Sequence, residues 1–197
     1  SGSNAATSFG GISLRIARFA VVAACAASVL LAGCAGLSED TTATGKKAEV
    51  VPAGASTGAG QSAKDAKVGQ AIRVTGPEKL DASVTLVSAK PYRKGKGDYA
   101  SPPEKGAFVV ADLLVAVRGG RYAVNPLYLK YQAPDGTTFD SMSGNAITAG
   151  FDPQLSAGDI AAGQRTRGLV TFDVPAGAGA RVQLTDELGS VIGQWAL

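Results

Sequence analysis

The last two thirds of the chain alternate apolar and polar residues with a period of two. Because successive side chains of a β-strand point to opposite faces, this period predicts antiparallel strands with one buried side. We expect one domain over residues 68–197, long enough to bury its own core. Residues 191–197 are predicted to close the sheet with Trp195 inward. The apolar positions of the alternations are Ile72, Val74, Val84, Leu86, Leu127, Leu129, Tyr131, Val170, Phe172, Val174, Val182 and Leu184.

One stretch departs from this alternation. Residues 108–117 are apolar on both faces except at Asp112, which is typical of a central strand covered on both sides. The clearest turn between predicted strands is Pro134-Asp135-Gly136, where Pro fixes φ, Asp bonds its own backbone and Gly permits a positive φ. Similar breaks occur at 118–120, 157–159 and 175–177. Seven or eight short strands with such turns predict an all-β sandwich rather than an open sheet.

The N-terminal part has a different pattern, a run of apolar and small residues without a charge between Arg18 and Cys34. This run, residues 19–33, is shorter than the roughly 20 apolar residues that a membrane-spanning helix needs. With two arginines before it and small residues at its end, it is typical of an export signal. Its last residues, Leu31-Ala32-Gly33-Cys34, look like a bacterial lipobox. We therefore predict a lipoprotein signal peptide over residues 1–33, and a lipid on Cys34 that anchors the protein to the extracytoplasmic face of the cell membrane. The alternative is an uncleaved anchor or an ordinary secretory signal.

Two segments are set apart from the predicted sandwich. The chain begins Ser1-Gly2-Ser3-Asn4-Ala5, which resembles a trimmed start or the remnant of an expression tag, so residues 1–14 are left out of the fold prediction. Residues 34–67 comprise the lipidated Cys34 and a stretch of small and charged residues without an aromatic side chain. Because its only apolar pair is Val50-Val51, this stretch is predicted to be a flexible, disordered linker.

The charge composition limits the partners of the protein. The chain has 19 Lys+Arg and 16 Asp+Glu, a formal net charge of +3. Loss of residues 1–33 removes Arg15 and Arg18, which leaves 17 basic against 16 acidic residues, or +1. A nearly neutral protein lacks the field that attracts nucleic acid, and we predict no nucleic-acid partner.

Residue types that carry much enzyme chemistry are absent from the predicted mature chain. The sequence has no His, Cys25 lies in the signal peptide and Cys34 is taken by the lipid, so we expect neither a disulfide nor a His- or Cys-based nucleophile. A single Met, Met142, argues against a thioether copper site. We predict no catalytic residue, no metal, no cofactor and no enzyme activity. The aspartates considered for calcium, which lack the spacing of a calcium loop, are Asp135, Asp140, Asp152 and Asp159.

Several motifs together resemble a known family. They are the segments 106–117, 125–129, the turn 134–136, 155–163 and 168–175. With these segments the chain looks like the telokin-like domain of unknown function found on secreted Gram-positive and actinobacterial lipoproteins and on related mycobacterial antigens. The similarity covers residues 68–197 and implies an immunoglobulin-like β-sandwich, with no established activity.

The best candidate for a binding site is the stretch 90–99, which precedes the predicted central strand. Loops on rigid sandwiches often carry recognition. The cations there are suited to phosphate groups of anionic headgroups or teichoic-type wall polymers, and the tyrosines to stacking on rings or sugars. The alternative is a solvated hairpin loop whose lysines only keep the protein soluble. The candidate residues are Lys90, Tyr92, Arg93, Lys94, Lys96 and Tyr99.

Three classes of function remain open. The first is a binding module that presents its loops to another cell-envelope component, either a protein or an anionic polymer. The second is an apolar-ligand carrier, which needs a dry pocket inside the sandwich. The third is a hydrolase that works with carboxylates alone, which needs two acids flanking a cleft. Among the predicted strands only Asp112 is acidic and able to point inward, so we favour the binding module.

Overall fold

The structure is a computed structural model that describes residues 42–51, 61–175 and 180–197. The signal peptide 1–33, the lipidation site Cys34 and most of the turn predicted at 175–177 therefore lie outside the described residues. In these ranges no helix has the length and apolar character needed to cross a membrane.

The described ranges contain thirteen strands and three short 3₁₀ helices. Seven of these strands have five or more residues, and the other six have two to four. The helices are Ala63–Asp65, Pro126–Tyr128 and Ile147–Ala149. The strands are β1 (Lys47–Val51), β2 (Gln61–Ser62), β3 (Ala66–Lys67), β4 (Ala71–Gly76), β5 (Leu80–Tyr92), β6 (Ala107–Gly119), β7 (Arg121–Val124), β8 (Leu129–Gln132), β9 (Thr138–Phe139), β10 (Gly158–Ala161), β11 (Arg165–Val174), β12 (Arg181–Thr185) and β13 (Val191–Ala196).

The strands form an immunoglobulin-like β-sandwich, which confirms the predicted all-β fold class. One sheet has six strands in the order β11-β6-β5-β4-β1-β2, and the other has five in the order β3-β13-β12-β8-β9. A separate pair is formed by β10 and β7. The pairings in the described ranges are antiparallel except that of β3 with β13, which is parallel.

Most of the predicted alternation is confirmed by burial between the two large sheets. Residues such as Ile72, Leu86 and Phe172 are fully buried there. Trp195 points inward as predicted, and its indole Nε1 donates a hydrogen bond to the carbonyl of Gln70 at 2.9 Å. The core is therefore built from the apolar side of each long strand, as the period of two requires.

The strand prediction is wrong at two places. Leu127 does not continue the alternation of β8 but lies in the 3₁₀ helix before it, with 44% of its surface exposed. Asn125 caps this helix by accepting a hydrogen bond from the amide of Leu127, and Pro126 occupies its first turn, which is why a helix replaces the strand start. The break predicted at 157–159 is the start of β10.

The predicted linker is also wrong in part, because β1 lies within it. Residues of β1 pair with β4 from Lys47 opposite Thr75 to Val51 opposite Ala71, and the pair Val50-Val51 is buried. The segment before β1 is held as well, since the hydroxyl of Thr44 donates to Asp186 at 3.0 Å. Two valines were too weak a pattern to predict a strand, but the exposed edge of β4 supplies backbone partners for it.

The prediction of a strand covered on both sides is confirmed for the first half of β6. Phe108 and Val110 point away from the main core, to the outer face of the six-stranded sheet, and are buried there against Ala149 and Phe151. Beyond Asp112 the outer side chains of β6 are only half-buried. The loop that carries Phe151 thus gives the outer face a small second core.

A buried carboxylate fixes the loops that cover this outer face. Asp173 on β11 is fully buried, although it alternates with core residues and was expected on a solvent-facing side. Its two oxygens accept hydrogen bonds from the amides of Glu104, Lys105 and Asn145 at 2.7, 2.9 and 2.8 Å. These bonds replace the water that a carboxylate loses on burial, and they hold two separate loops against β11.

Candidate functional site

A groove of about 700 Å³ opens on the outer face of the six-stranded sheet, at the end of β5. Its floor comes from β5, β6 and β11, and its walls from the segments 94–98 and 151–152. The side chains and glycines that line the groove are Ser88, Lys90, Tyr92, Lys94, Gly95, Lys96, Gly97, Asp98, Val110, Asp112, Phe151, Asp152 and Leu169.

A β-bulge in β5 brings two of these side chains to the groove. The register of β5 against β6 shifts between Leu86 and Ser88. Before the shift Val84 and Leu86 point into the core, and after it Lys90 and Tyr92 lie opposite Val110 and Phe108 on the outer face. An extra residue in a strand reverses which side its following residues face. Without the bulge, Lys90 would point into the sandwich.

The apolar part of the groove is an aromatic pair. The rings of Tyr92 and Phe151 are tilted by 48° with centroids 4.7 Å apart, and Phe108 meets Phe151 edge-on at 6.2 Å. Phe151 is buried, whereas Tyr92 has 39% of its surface exposed. Val110 and Leu169 complete the apolar lining. The groove therefore offers a partly exposed ring on a rigid base.

The wall 94–98 is held by backbone contacts to the neighbouring loop. The amide of Lys96 donates to the carbonyl of Ala149 at 2.8 Å, and the amide of Ser101 donates to that of Thr148 at 3.1 Å. Gly150 has a φ of 74°, and a Cβ atom there would lie 2.1 Å from the carbonyl oxygen of Lys96. The close approach of the two loops therefore requires glycine at this position.

The structure brings together four of the six residues predicted as a binding loop. Lys90, Tyr92, Lys94 and Lys96 line the groove, but the first two belong to β5 rather than to a loop, so the predicted loop was too long. The three lysines are exposed, and within the described part of the chain no carboxylate lies within 4 Å of any of their ammonium groups.

The other two predicted residues do not line the groove. Arg93 is exposed beside its rim, and Tyr99 is 100% exposed. A side chain without any covering contact loses its rotamer freedom for little gain on binding. The contribution expected from Tyr99 therefore has no support in its position.

Asp112 lies in the groove and not inside the sandwich, which corrects the expectation of an inward carboxylate. Arg167 of β11 donates to it through Nε at 2.9 Å and through Nη2 at 2.6 Å. These hydrogen bonds and the charge of Arg167 lower the pKa of Asp112, and the charge of Lys90 acts in the same direction, against the opposing effect of burial. A carboxylate held in this way stays ionised and is a poor general acid.

Two further carboxylates line the groove, those of Asp98 and Asp152. Among the described residues neither of them has a hydrogen bond or an ion pair. Asp98 was seen in the sequence only as part of the cationic stretch, and Asp152 only as an unlikely calcium ligand. The described residues contain no group of three or more potential metal ligands from His, Cys, Asp and Glu.

A small apolar space lies between the sheets. Its volume is about 10 Å³, and side chains such as Val84, Leu113 and Leu184 line it. This volume is about that of a single water probe. An apolar ligand therefore has no room in this space.

The sequence reasoning missed Phe151, Asp152 and Arg167 because they reach the groove from distant parts of the chain. Arg167 shares the outer face of β11 with Leu169, and Leu169 lies opposite Asp112 on β6. The presence of an acid in an otherwise apolar strand was a usable signal that a cation on the neighbouring strand would be needed. The position of Phe151 in its loop gives no such signal.

The fold and the groove define a class of protein, an immunoglobulin-like β-sandwich with an open site on the outer face of its larger sheet. Residues 67–191 match a family described as a domain of unknown function, DUF4352, and the chain belongs to this family. No curated protein is significantly similar to the chain.

One solved structure shares the fold. The crystal structure of MPT63, a secreted protein from Mycobacterium tuberculosis, matches with a TM-score of 0.53 and 17% identity, over 68% of this chain and 96% of that chain. Identity at this level shows the fold alone. The family and this likeness together confirm the predicted sandwich and a domain of unknown function, while the telokin-like label and the lipoprotein context stay predictions.

Proposed function

We propose that the protein is a non-enzymatic binding module of the cell envelope that uses the groove to hold an anionic envelope component. The observation that carries this proposal is that Lys90, Lys94 and Lys96 line one groove together with the rings of Tyr92 and Phe151. Cations beside a partly exposed aromatic surface suit a ligand that presents both negative charge and an apolar face. The volume of about 700 Å³ lies within the range of known ligand sites, roughly 300–1,000 Å³.

We propose that the module is held at the extracytoplasmic face of the membrane by a lipid on Cys34. The support is the short apolar run ending in Leu31-Ala32-Gly33-Cys34. The solved relative with the same fold is itself described as a secreted protein, which is compatible with a location outside the cytoplasm. Acylation on Cys34 with two or more chains would be sufficient for stable anchoring.

The hydrolase alternative has one feature in its favour, because the groove holds more than one acid. A carboxylate pair for glycoside hydrolysis, however, needs one member with a raised pKa. The pKa of Asp112 is lowered by Arg167, which makes this carboxylate a poor general acid. The carrier alternative is not favoured by the apolar space between the sheets, whose volume is only about 10 Å³. Binding without chemistry is therefore the better proposal.

The proposal is tested with the mature chain carrying Cys34→Ser, which is soluble if the lipid is the anchor. Poly(glycerol phosphate) is titrated against this protein and against a variant with Lys90→Ser, Lys94→Ser and Lys96→Ser. We expect at least a tenfold weaker affinity for the variant, and a similar loss for the parent when the salt concentration is raised, because exposed charges are screened beyond about 8 Å at physiological ionic strength.

A matched control removes the same charge elsewhere, by Lys67→Ser, Lys79→Ser and Arg181→Ser. These three side chains are exposed and do not line the groove. Equal losses in both triple variants would show that only net charge matters. Full affinity in the groove variant would mean that the lysines are a solvated surface, and the proposal would be withdrawn.

A further inference from the structure

The groove contains carboxylates that a simple polyanion site would not have. Its lining has three ammonium groups, those of Lys90, Lys94 and Lys96, and three carboxylates. Among the described residues only one of these acids, Asp112, is paired with a cation, Arg167. Counting Arg167, the groove has four positive and three negative charges, a net of +1. Attraction between whole charges is therefore a weak explanation of what the groove binds.

The remaining acids, Asp98 and Asp152, are exposed to solvent and accept no hydrogen bond from a described group of the protein. Neither has a partner among the described residues, and both stand on the walls beside the aromatic pair. An ionised carboxylate only accepts hydrogen bonds, so the group that would satisfy it must carry a donor. A phosphate diester has none, and it would be repelled by both aspartates.

We infer that the ligand is an anionic polymer that also carries hydroxyl groups, such as a sugar phosphate or a polyol phosphate chain. Lysines of the groove hold its phosphates, Asp98 and Asp152 accept hydrogen bonds from its hydroxyls, and the ring of Tyr92 packs against its carbon skeleton. This inference rests on the proposed function and adds to it the chemical class of the ligand. Asp112 differs from these two acids, because Arg167 already donates a hydrogen bond to each of its oxygens.

The mixed lining also predicts a selectivity. A polymer that has phosphates but no hydroxyls would meet the lysines and be repelled by Asp98 and Asp152. A neutral glycan would meet the aspartates but leave the three ammonium groups without a counter-charge. A ligand with both groups would interact with both sets of side chains.

Two polymers of matched length separate these contributions, poly(glycerol phosphate), which has a free hydroxyl in each unit, and inorganic polyphosphate, which has none. Both are titrated against the Cys34→Ser mature chain and against a double variant, Asp98→Asn with Asp152→Asn. We expect the double variant to bind poly(glycerol phosphate) about three- to tenfold more weakly, because two hydrogen bonds to ionised acceptors are weakened. It should bind polyphosphate as well as the parent or more tightly, because two repelling charges are gone.

The control for net charge is Glu78→Gln with Glu104→Gln, since both side chains are exposed and lie outside the groove. This variant should not weaken the binding of poly(glycerol phosphate). If Asp98→Asn with Asp152→Asn tightens the binding of both polymers, the aspartates only repel and the inference is overturned. If the parent binds only phosphatidylglycerol vesicles, its ligand is a lipid surface, and the inference of a polymeric ligand is overturned. If the parent binds neither polymer and no vesicle, the proposed function itself fails.

Discussion

The outer face of the six-stranded sheet carries charged side chains near both ends of β5, and the two ends differ in how these charges are paired. Near the start of β5, Arg73 donates to both oxygens of Asp81 at 2.9 and 3.0 Å and reaches Glu49 at 3.4 Å. Near its end, Lys90, Lys94 and Lys96 line the groove with no carboxylate within 4 Å of their ammonium groups among the described residues.

The difference distinguishes charged side chains that stabilise the fold by pairing with each other from charged side chains that are available to bind another molecule. At the start of β5, Arg73 bonds Asp81 and Glu49 on the two neighbouring strands, so these three charges have counter-charges in the protein. At its end, Lys90, Lys94 and Lys96 have no carboxylate within 4 Å among the described residues, yet the bulge and the buried Asp173 hold the surrounding backbone in a defined shape. A rigid frame with unsatisfied side chains is the arrangement expected of a binding site.

The largest effect on stability is expected from a substitution in the core, which supports both ends of β5. Phe172→Ala removes a fully buried ring between the sheets and should lower the free energy of unfolding by about 3–5 kcal/mol. Urea unfolding followed by Trp195 fluorescence measures it. A loss below about 1 kcal/mol would contradict the inward register of β11.

The next largest effect on stability is expected from Asp173, and it should be local to the end of β5 where the groove lies. Asp173→Asn keeps the shape of the side chain but replaces one acceptor oxygen by a donor that faces backbone amides. We expect a loss of about 1–3 kcal/mol in the free energy of unfolding. Hydrogen exchange should also quicken at the amides of Glu104, Lys105 and Asn145. Asp140→Asn, whose carboxylate bonds only residues of its own turn and Lys130, is the control, and equal exchange in both variants would contradict a specific clamp.

A smaller and pH-dependent effect is expected at the paired end. The hydrogen bonds from Arg73 lower the pKa of Asp81, so this pair stabilises the fold above the unfolded pKa of about 4 and loses that contribution as the pH falls through the folded value. Because both side chains are partly exposed, Asp81→Asn should cost no more than about 1 kcal/mol at neutral pH. Unfolding measured from pH 7 down to about pH 2 should show the parent and the variant converging in acid. A constant difference over that range would contradict the pairing.

The smallest effect on stability is expected at the unpaired end. Replacement of Lys90, Lys94 and Lys96 by Ser should change the free energy of unfolding by less than about 0.5 kcal/mol, because these side chains form no ion pair in the described structure. Thermal unfolding of this triple variant beside Asp81→Asn compares the two ends directly. A larger loss in the lysine variant would reverse the comparison.

Much of the sandwich was predictable because burial between two sheets imposes a period of two on every long strand. Ile72, Phe172 and Trp195 were placed correctly on this ground. The strand β1 was missed because an edge strand of five residues has only Val50 and Val51 to mark it. Its stability comes from the partner β4, which a local pattern does not show.

The groove was predictable only in part, because it depends on contacts between residues that are far apart in the sequence. The cationic stretch was visible as a density of charge, but the bulge that turns Lys90 and Tyr92 to the outer face leaves no clear mark in the sequence. Asp152 and Phe151 come from a loop some fifty residues away and meet the groove only through the fold. Asp112 was misplaced because its partner, Arg167, lies on another strand.

The central claim is that the unpaired end of β5 binds a ligand and the paired end does not. Its most direct test is a titration of the isotope-labelled Cys34→Ser mature chain with poly(glycerol phosphate), followed by amide chemical shifts. The account predicts shifts that cluster at residues 88–98, 110–112, 151–152 and 167–169, with little change around Glu49, Arg73 and Asp81. Shifts centred on the paired end, or spread evenly over the surface at low salt, would contradict it.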